Sequence, residues 1–125
     1  MNFSRIDDGA TTTLRIRGEL DALSAPELRP LIDDLVESGR RDIKVDLSGL
    51  RLIDSSGVGA LVSLYKRIRA QSGGVRFTGV TAQPLVIFKL LRLDEVFGLT
   101  ADAPEYQTDQ AEQLEQLPIS VRTDT

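Results

Sequence analysis

The chain has 125 residues, 41 % of them hydrophobic, with no cysteine and no histidine, which is one domain of ordinary size with apolar content for one core. Its 15 basic and 19 acidic side chains leave a formal charge of −4, which speaks against a nucleic-acid partner, since that binding rests on clustered Lys and Arg neutralising phosphates. Without thiols there are no disulfides and no thiolate chemistry, and without imidazole a Ser-His-Asp hydrolase cannot be assembled.

Phe3 to Ile6 reads as a short strand, Asp8-Gly9 as a turn, and Thr12 to Arg17 as a second strand in which Leu14 and Ile16 alternate with polar residues. Together they predict an N-terminal hairpin. Gly18-Glu19-Leu20-Asp21 is expected to leave the strand. Ser24-Ala25-Pro26-Glu27 has the capping-box pattern, with proline tolerated in the first turn. Leu28, Leu31, Ile32, Leu35 and Val36 follow at helical spacing, and Gly39 is the expected stop.

Ile43, Val45 and Leu47 alternate with Lys44 and Asp46 as another strand, and Leu50 to Ile53 leads into Asp54-Ser55-Ser56-Gly57-Val58-Gly59. Val58, Leu61, Val62, Tyr65 and Ile68 then mark one face of a helix that Gly73-Gly74 ends. Lys66, Arg67 and Arg69 on it read as a solvated face. Val75, Phe77 and Gly79 outline a further strand. Thr81 is the expected cap of the next helix, with Pro84 in its first turn. The run Leu85 to Leu93 carries more apolar residues than one buried face can hold, so it is either a deeply buried helix or a docking patch. Val96 to Thr100 reads as a last short strand, and Thr108 to Leu117 as a helix ended by Pro118. Residues 1–117 are expected to form the domain and 118–125 a flexible tail.

Helices alternating with strands after a hairpin predict an α/β fold with a mixed, mostly parallel sheet. Strands buried on both faces should be continuously apolar. Here Arg15, Lys44, Asp46 and Arg76 occupy the second phase, so the helices are expected to stack mainly on one face. No run is long enough and free enough of charge to span a bilayer, and Met1 to Asp8 lacks the basic and apolar parts of a signal peptide. A cytoplasmic protein with no membrane partner is expected.

The segment around Asp54-Ser55-Ser56-Gly57 is where an apolar strand hands over to a helix. The first N–H groups of a helix have no intrahelical acceptor, and Asp or Ser side chains supply one. The same donors and the helix dipole suit a phosphate. Read as residue types alone, Ser55 and Ser56 are ordinary caps as readily as a modification site. Gly57 and Gly59 permit close helix–strand packing and form no nucleotide loop, because Gly-x-x-x-x-Gly-Lys is absent. Asp21 is either a turn residue bonding its own backbone or part of a recognition surface. Asp46 and Asp54, with no third ligand, make a poor metal site, so neither metal nor cofactor is expected.

Gly18-Glu19-Leu20-Asp21, Val45-Asp46-Leu47 and Asp54-Ser55-Ser56-Gly57-Val58-Gly59 together resemble the STAS-domain anti-sigma-factor antagonists of bacteria. The resemblance implies a non-enzymatic regulator of transcription and the stress response that works by partner switching. Its unmodified form would bind an anti-sigma factor that is also a serine kinase, phosphorylation would end the binding, and a metal-dependent phosphatase would restore it. Ser55 matches the phosphoacceptor and Ser56 the second hydroxyl. Asp21 and Asp54 match flanking acidic positions, with Gly57 inside the motif. Val86, Phe88 and Lys89 are expected to add a docking patch beside Ser55. The molecule is expected to be a monomer or weak dimer. The alternative within the same fold is a non-switching scaffold subunit of a stress-signalling or lipid-transport assembly.

Overall fold

The computed structural model of the chain describes residues 3–99. Gly9, at φ +63°, turns the chain so that β1 (Phe3–Asp8) pairs antiparallel with β2 (Thr11–Leu20), as the hairpin signal requires. β2 does not end at Arg17. It continues through Gly18-Glu19-Leu20 because two register shifts against β3 (Asp42–Ile53), after Arg15 and after Gly18, keep it paired until Leu20 lies opposite Ile53. Such bulges bend a strand and extend pairing that simple alternation would stop.

β3 runs parallel to β2 and to β4 (Gly74–Thr78), giving one four-stranded sheet in the order β1-β2-β3-β4. The crossovers are α1 (Ala25–Glu37) and α2 (Ser55–Ala70). Leu14, Val45 and Phe77 sit side by side across the strands and are buried, as are Leu28, Ile32 and Leu35 of α1 and Ala60, Leu61, Leu64 and Ile68 of α2. The buried face of α2 is therefore rotated slightly from the predicted one: Val58, Val62 and Tyr65 lie at its margin, half-buried. Arg67 reaches across to Asp33 of α1 at 2.6 Å, while Lys66 and Arg69 stay exposed.

The opposite sheet face is the polar one expected from the strand alternation. Arg15 pairs with Asp46 at 3.1 Å, and Arg76 with Asp42 at 3.4 Å. Exposed pairs of this kind contribute roughly 0–1 kcal/mol each, so this face is tolerated by water rather than held together by charge.

Three local expectations are corrected. Ser24 precedes α1, but its side chain makes no cap bond to the helix. Its hydroxyl instead donates to the Glu19 carbonyl at 2.8 Å and accepts from the Asp21 N–H at 2.9 Å, closing the loop after β2. Thr81 precedes α3 (Ala82–Leu90), again with no side-chain cap bond. No strand forms from Val96 onward among the described residues. The chain makes one helical turn, α4 (Leu93–Val96), the Phe97 N–H donates to the Leu93 carbonyl at 2.7 Å, and Gly98 takes φ +70°. Phe97 and Leu99 are both buried, which mimics strand alternation in the sequence. Phe97 stacks on Phe77 at 4.1 Å between ring centroids, meets Phe88 edge-on at 5.6 Å and leans on Tyr65 at 5.3 Å. The predicted helix over 108–117 and the tail over 118–125 lie outside the described residues.

Candidate functional site

The turn from β3 to α2 is built by Asp54. In extended conformation, its carboxylate accepts from the Ser56 N–H at 2.9 Å and the Gly57 N–H at 3.1 Å through one oxygen. The other oxygen accepts from Ala22 N–H at 3.2 Å, and the Asp54 N–H donates to the Leu20 carbonyl, also at 3.2 Å. One side chain thus satisfies two orphan donors of α2 and ties the β2–α1 loop to it. Of the caps offered by sequence, Asp54 is the one used.

Ser55 is the first residue of α2 and is exposed; Ser56 is half-buried. Gly57 is buried because α2 starts in contact with the ends of β2 and β3. A Cβ there would lie 2.8 Å from Ile53 Cγ1 and 2.9 Å from Leu20 Cγ, with the Leu20 carbonyl oxygen closer still. Gly59 faces open space. The two glycines, alike in sequence, therefore differ in kind: the first is required by packing and the second is not.

Asp21 stands on the neighbouring loop. Its carboxylate accepts from the backbone N–H of Leu23 at 3.0 Å and of Ser24 at 3.1 Å, and the Ser24 hydroxyl stands 3.2 Å away. The Ser24 N–H is the largest cause holding this carboxyl below the usual carboxylate range. The self-bonding turn is the conformation Asp21 adopts. Asp46 is held down likewise, first by the Ser48 N–H at 2.9 Å and then by the Ser48 hydroxyl at 2.7 Å. It belongs to the polar sheet face. Among the described residues no group of three or more His, Cys, Asp or Glu could hold a metal ion.

The apolar run resolves into both alternatives at once. Pro84 and Phe88 are buried, whereas Val86, Leu90 and Leu91 are 55, 73 and 54 % exposed, and Lys89 is exposed beside them. Phe88, at 0 % exposure, is a core residue and cannot touch a partner, and buried Gly57 serves only as backbone spacing. Val86 and Lys89 are available to one.

Three features of this region are missing from the sequence reading. Gln83, in the first turn of α3, accepts from the Ile53 N–H at 2.9 Å and donates to the Ile53 carbonyl at 3.0 Å, so α3 begins against the residue two before Ser55. Leu23, next to the Ala22 that bonds Asp54, is 85 % exposed, and Leu52, just before Ile53, is 47 % exposed. Nothing in the spacing of Gln83 marks it. Leu23 carried a signal as an apolar residue in a loop, and Leu52 as one out of phase with Ile43, Val45 and Leu47.

The family model described as "Mlab, STAS domain" matches residues 4–100. The anti-sigma-B factor antagonist of Bacillus subtilis strain 168 is 28 % identical over 88 residues, covering 70 % of this chain and 80 % of the relative. The anti-sigma-B factor antagonist of Staphylococcus aureus strain NCTC 8325 is 30 % identical over 86 residues, covering 69 % of this chain and 74 % of the relative. Among solved structures, the Bacillus cell fate determinant SpoIIAA in its phosphorylated form superposes with a TM-score of 0.63 at 23 % identity, over 87 % of this chain and 97 % of that one. That likeness establishes the fold.

Proposed function

This chain belongs to the STAS-domain family of anti-sigma-factor antagonists, and from that premise we propose that its unmodified form binds an anti-sigma factor with serine-kinase activity, that phosphorylation of Ser55 ends the binding, and that a metal-dependent serine phosphatase reverses it. The role is regulatory and not catalytic, and it is exercised in the cytoplasm; among the described residues no helix is long and apolar enough to cross a membrane. The observation that carries the reading is the exposed Ser55 at the first position of α2, in a turn whose hydrogen bonds are made by Asp54. A kinase can reach this serine and modify it without removing a bond that the fold uses. Leu23, Leu52 and Val86 supply exposed apolar area on the elements that meet at this turn.

The effect on binding is electrostatic. A phosphoserine adds close to two negative charges near neutral pH. Opposite a partner carboxylate about 6 Å away, at an effective dielectric of about 20, Coulomb's law gives roughly 3 kcal/mol per unit charge and about 5 in total before screening. Half of that weakens binding by about two orders of magnitude.

The test is incubation with the cognate kinase and ATP, followed by mapping of the phosphate by mass spectrometry. It is expected on Ser55, with Ser55→Asp binding the anti-sigma factor far more weakly than Ser55→Ala by calorimetry. Phosphate on another residue, or equal affinities, refutes the proposal.

A further inference from the structure

β4 accompanies β3 only as far as Thr78 opposite Asp46, yet β3 continues to Ile53. Along a strand, successive residues point their N–H and C=O groups to opposite sides. Asp54 donates toward β2, to the Leu20 carbonyl, so the Ile53 groups face the side that β4 has already left. Ile53 is 3 % exposed, and there Gln83 supplies both an acceptor and a donor. Its carboxamide has the hydrogen-bonding groups of a peptide unit and stands where the next strand residue would stand.

Apart from Gln83, the first turns of its helix are held by buried Pro84, with Ile87 packed half-buried against the core. Only Pro84 and Phe88 are buried along it, and Phe88 belongs to the aromatic cluster at the far end. Ala82, immediately before Gln83, is held at φ +56°. A non-glycine residue persists in that region where its surroundings over-determine it.

We propose that Gln83 is a positioning residue of the partner-binding surface. By completing the end of β3 it locks the exposed side of α3, with Val86 and Lys89, to the Asp54–Ser55 turn, so that a partner meets the phosphorylatable serine and the α3 patch as one rigid surface. This rests on the partner reading above and adds to it the residue that joins the two halves of the site.

The test compares Gln83→Leu, which keeps the bulk and removes both hydrogen bonds, with Gln83→Ala, and takes Ile68→Val, in the core of α2, as a control for general loss of stability. Residue-resolved amide exchange in the free protein is expected to rise about tenfold or more at Ile53, Val86 and Lys89 in both Gln83 variants, the scale of one or two net hydrogen bonds, with Val45 unchanged. Affinity for the kinase anti-sigma factor is expected to fall about tenfold in the same variants. Ile68→Val should alter neither the local exchange pattern nor the affinity. Unchanged exchange at Ile53 and in α3 overturns the clamp, whatever the binding data show. Raised exchange with undiminished affinity overturns the positioning role. Ser55→Asp measured alongside keeps the two ideas apart: if it binds as tightly as the parent, the partner reading fails, while the exchange data still judge the clamp.

Discussion

Gly57 and Gly59 sit two residues apart on α2, and replacing each by alanine should move stability in opposite directions. In a helix, alanine is favoured over glycine by about 0.8–1 kcal/mol. At Gly59 the new methyl meets nothing within 4 Å, so most of that gain is kept, roughly 0.5–1 kcal/mol. At Gly57 it would stand 2.8 Å from Ile53 Cγ1 and 2.9 Å from Leu20 Cγ and press on the Leu20 carbonyl. Leu20 and Ile53 are paired at the strand ends, which fixes the Leu20 carbonyl, and both side chains are buried among neighbours. Overpacking costs about 1–3 kcal/mol; with a backbone oxygen as the tightest contact the upper half of that range, about 2–3 kcal/mol, applies, and subtracting the propensity gain leaves a net loss of about 1–2 kcal/mol. The two variants should therefore differ by roughly 1.5–3 kcal/mol. With a urea m-value of about 1.5 kcal/mol/M for a domain of this size, their unfolding midpoints should lie about 1–2 M apart. Gly57→Ala should also raise the exchange rate of the amides at positions 56 and 57, because pushing α2 outward lengthens their bonds to Asp54. Midpoints that coincide, or a Gly57→Ala variant more stable than the parent, would refute the contact between α2 and the strand ends.

Asp54→Ala removes the cap of α2 and the bond to Ala22 together, and should cost about 1–2 kcal/mol by urea unfolding, with Asp54→Asn recovering much of it as a neutral acceptor. Phe97→Ala leaves Phe77, Phe88 and Tyr65 facing a void. It should cost about 3–5 kcal/mol, with near-ultraviolet circular dichroism reporting loss of the ring packing. Asp7, Asp21 and Asp46 are each held below their ordinary value of 3.8, chiefly by Arg5, the Ser24 N–H and the Ser48 N–H respectively. The unfolded chain takes up these protons first as pH falls, so their contribution is complete above 3.8 and lost below it as pH descends through the folded values. Urea midpoints should fall across that window, and Asp21→Asn should flatten the slope.

The parts of the fold set by periodicity and punctuation were readable. Leu14 and Ile16, Val45 and Leu47, and Val75 and Phe77 alternate because one sheet face is buried, and Leu28, Ile32 and Leu35 repeat as a helix facing that core must. What escaped is governed by contacts distant in sequence. β2 outlasts its own alternation because β3 bulges to stay beside it. Ser24 has the residue type of a helix cap, but the Glu19 carbonyl and the Asp21 N–H compete for its hydroxyl. Phe97 and Leu99 look like a strand because burial two residues apart has the same pattern whichever backbone achieves it. In the site, which of Asp54, Ser55 and Ser56 caps α2, and which of Gly57 and Gly59 meets the strands, is open in the sequence, but the need for an acceptor and for a missing side chain there was legible. Gln83 was not, since the strand end it completes is 30 residues away. Phe88 reads as a surface residue with Val86 because an almost wholly apolar run has no period to separate its two faces.

The cap made by Asp54 also decides where a phosphate on Ser55 would go. A helix start ordinarily offers free N–H groups to an anion, but here the donors of Ser56 and Gly57 are already held by the Asp54 carboxylate, whose second oxygen holds Ala22. For the phosphate to take those donors, Asp54 must release the two hydrogen bonds held by its first oxygen. The new dianion would then still stand beside a carboxylate, at a repulsion of roughly 3 kcal/mol per unit charge for a separation near 5 Å and an effective dielectric of 20. The dipole returns only about 0.3–1 kcal/mol. The lower-energy arrangement keeps Asp54 in place and turns the phosphate outward, so its charge is spent on whatever approaches the turn and not on the helix beneath it. A phosphate so placed has a carboxylate neighbour and gains neither the Ser56 nor the Gly57 donor. Its second ionisation, followed by phosphorus NMR, should therefore lie above the ordinary value of about 6, and the Ser56 amide resonance should stay insensitive to that titration. An ionisation lowered below the ordinary value, with the Ser56 amide moving in step, would mean that the phosphate had displaced Asp54, and the modification would then act on α2 itself and not on association alone.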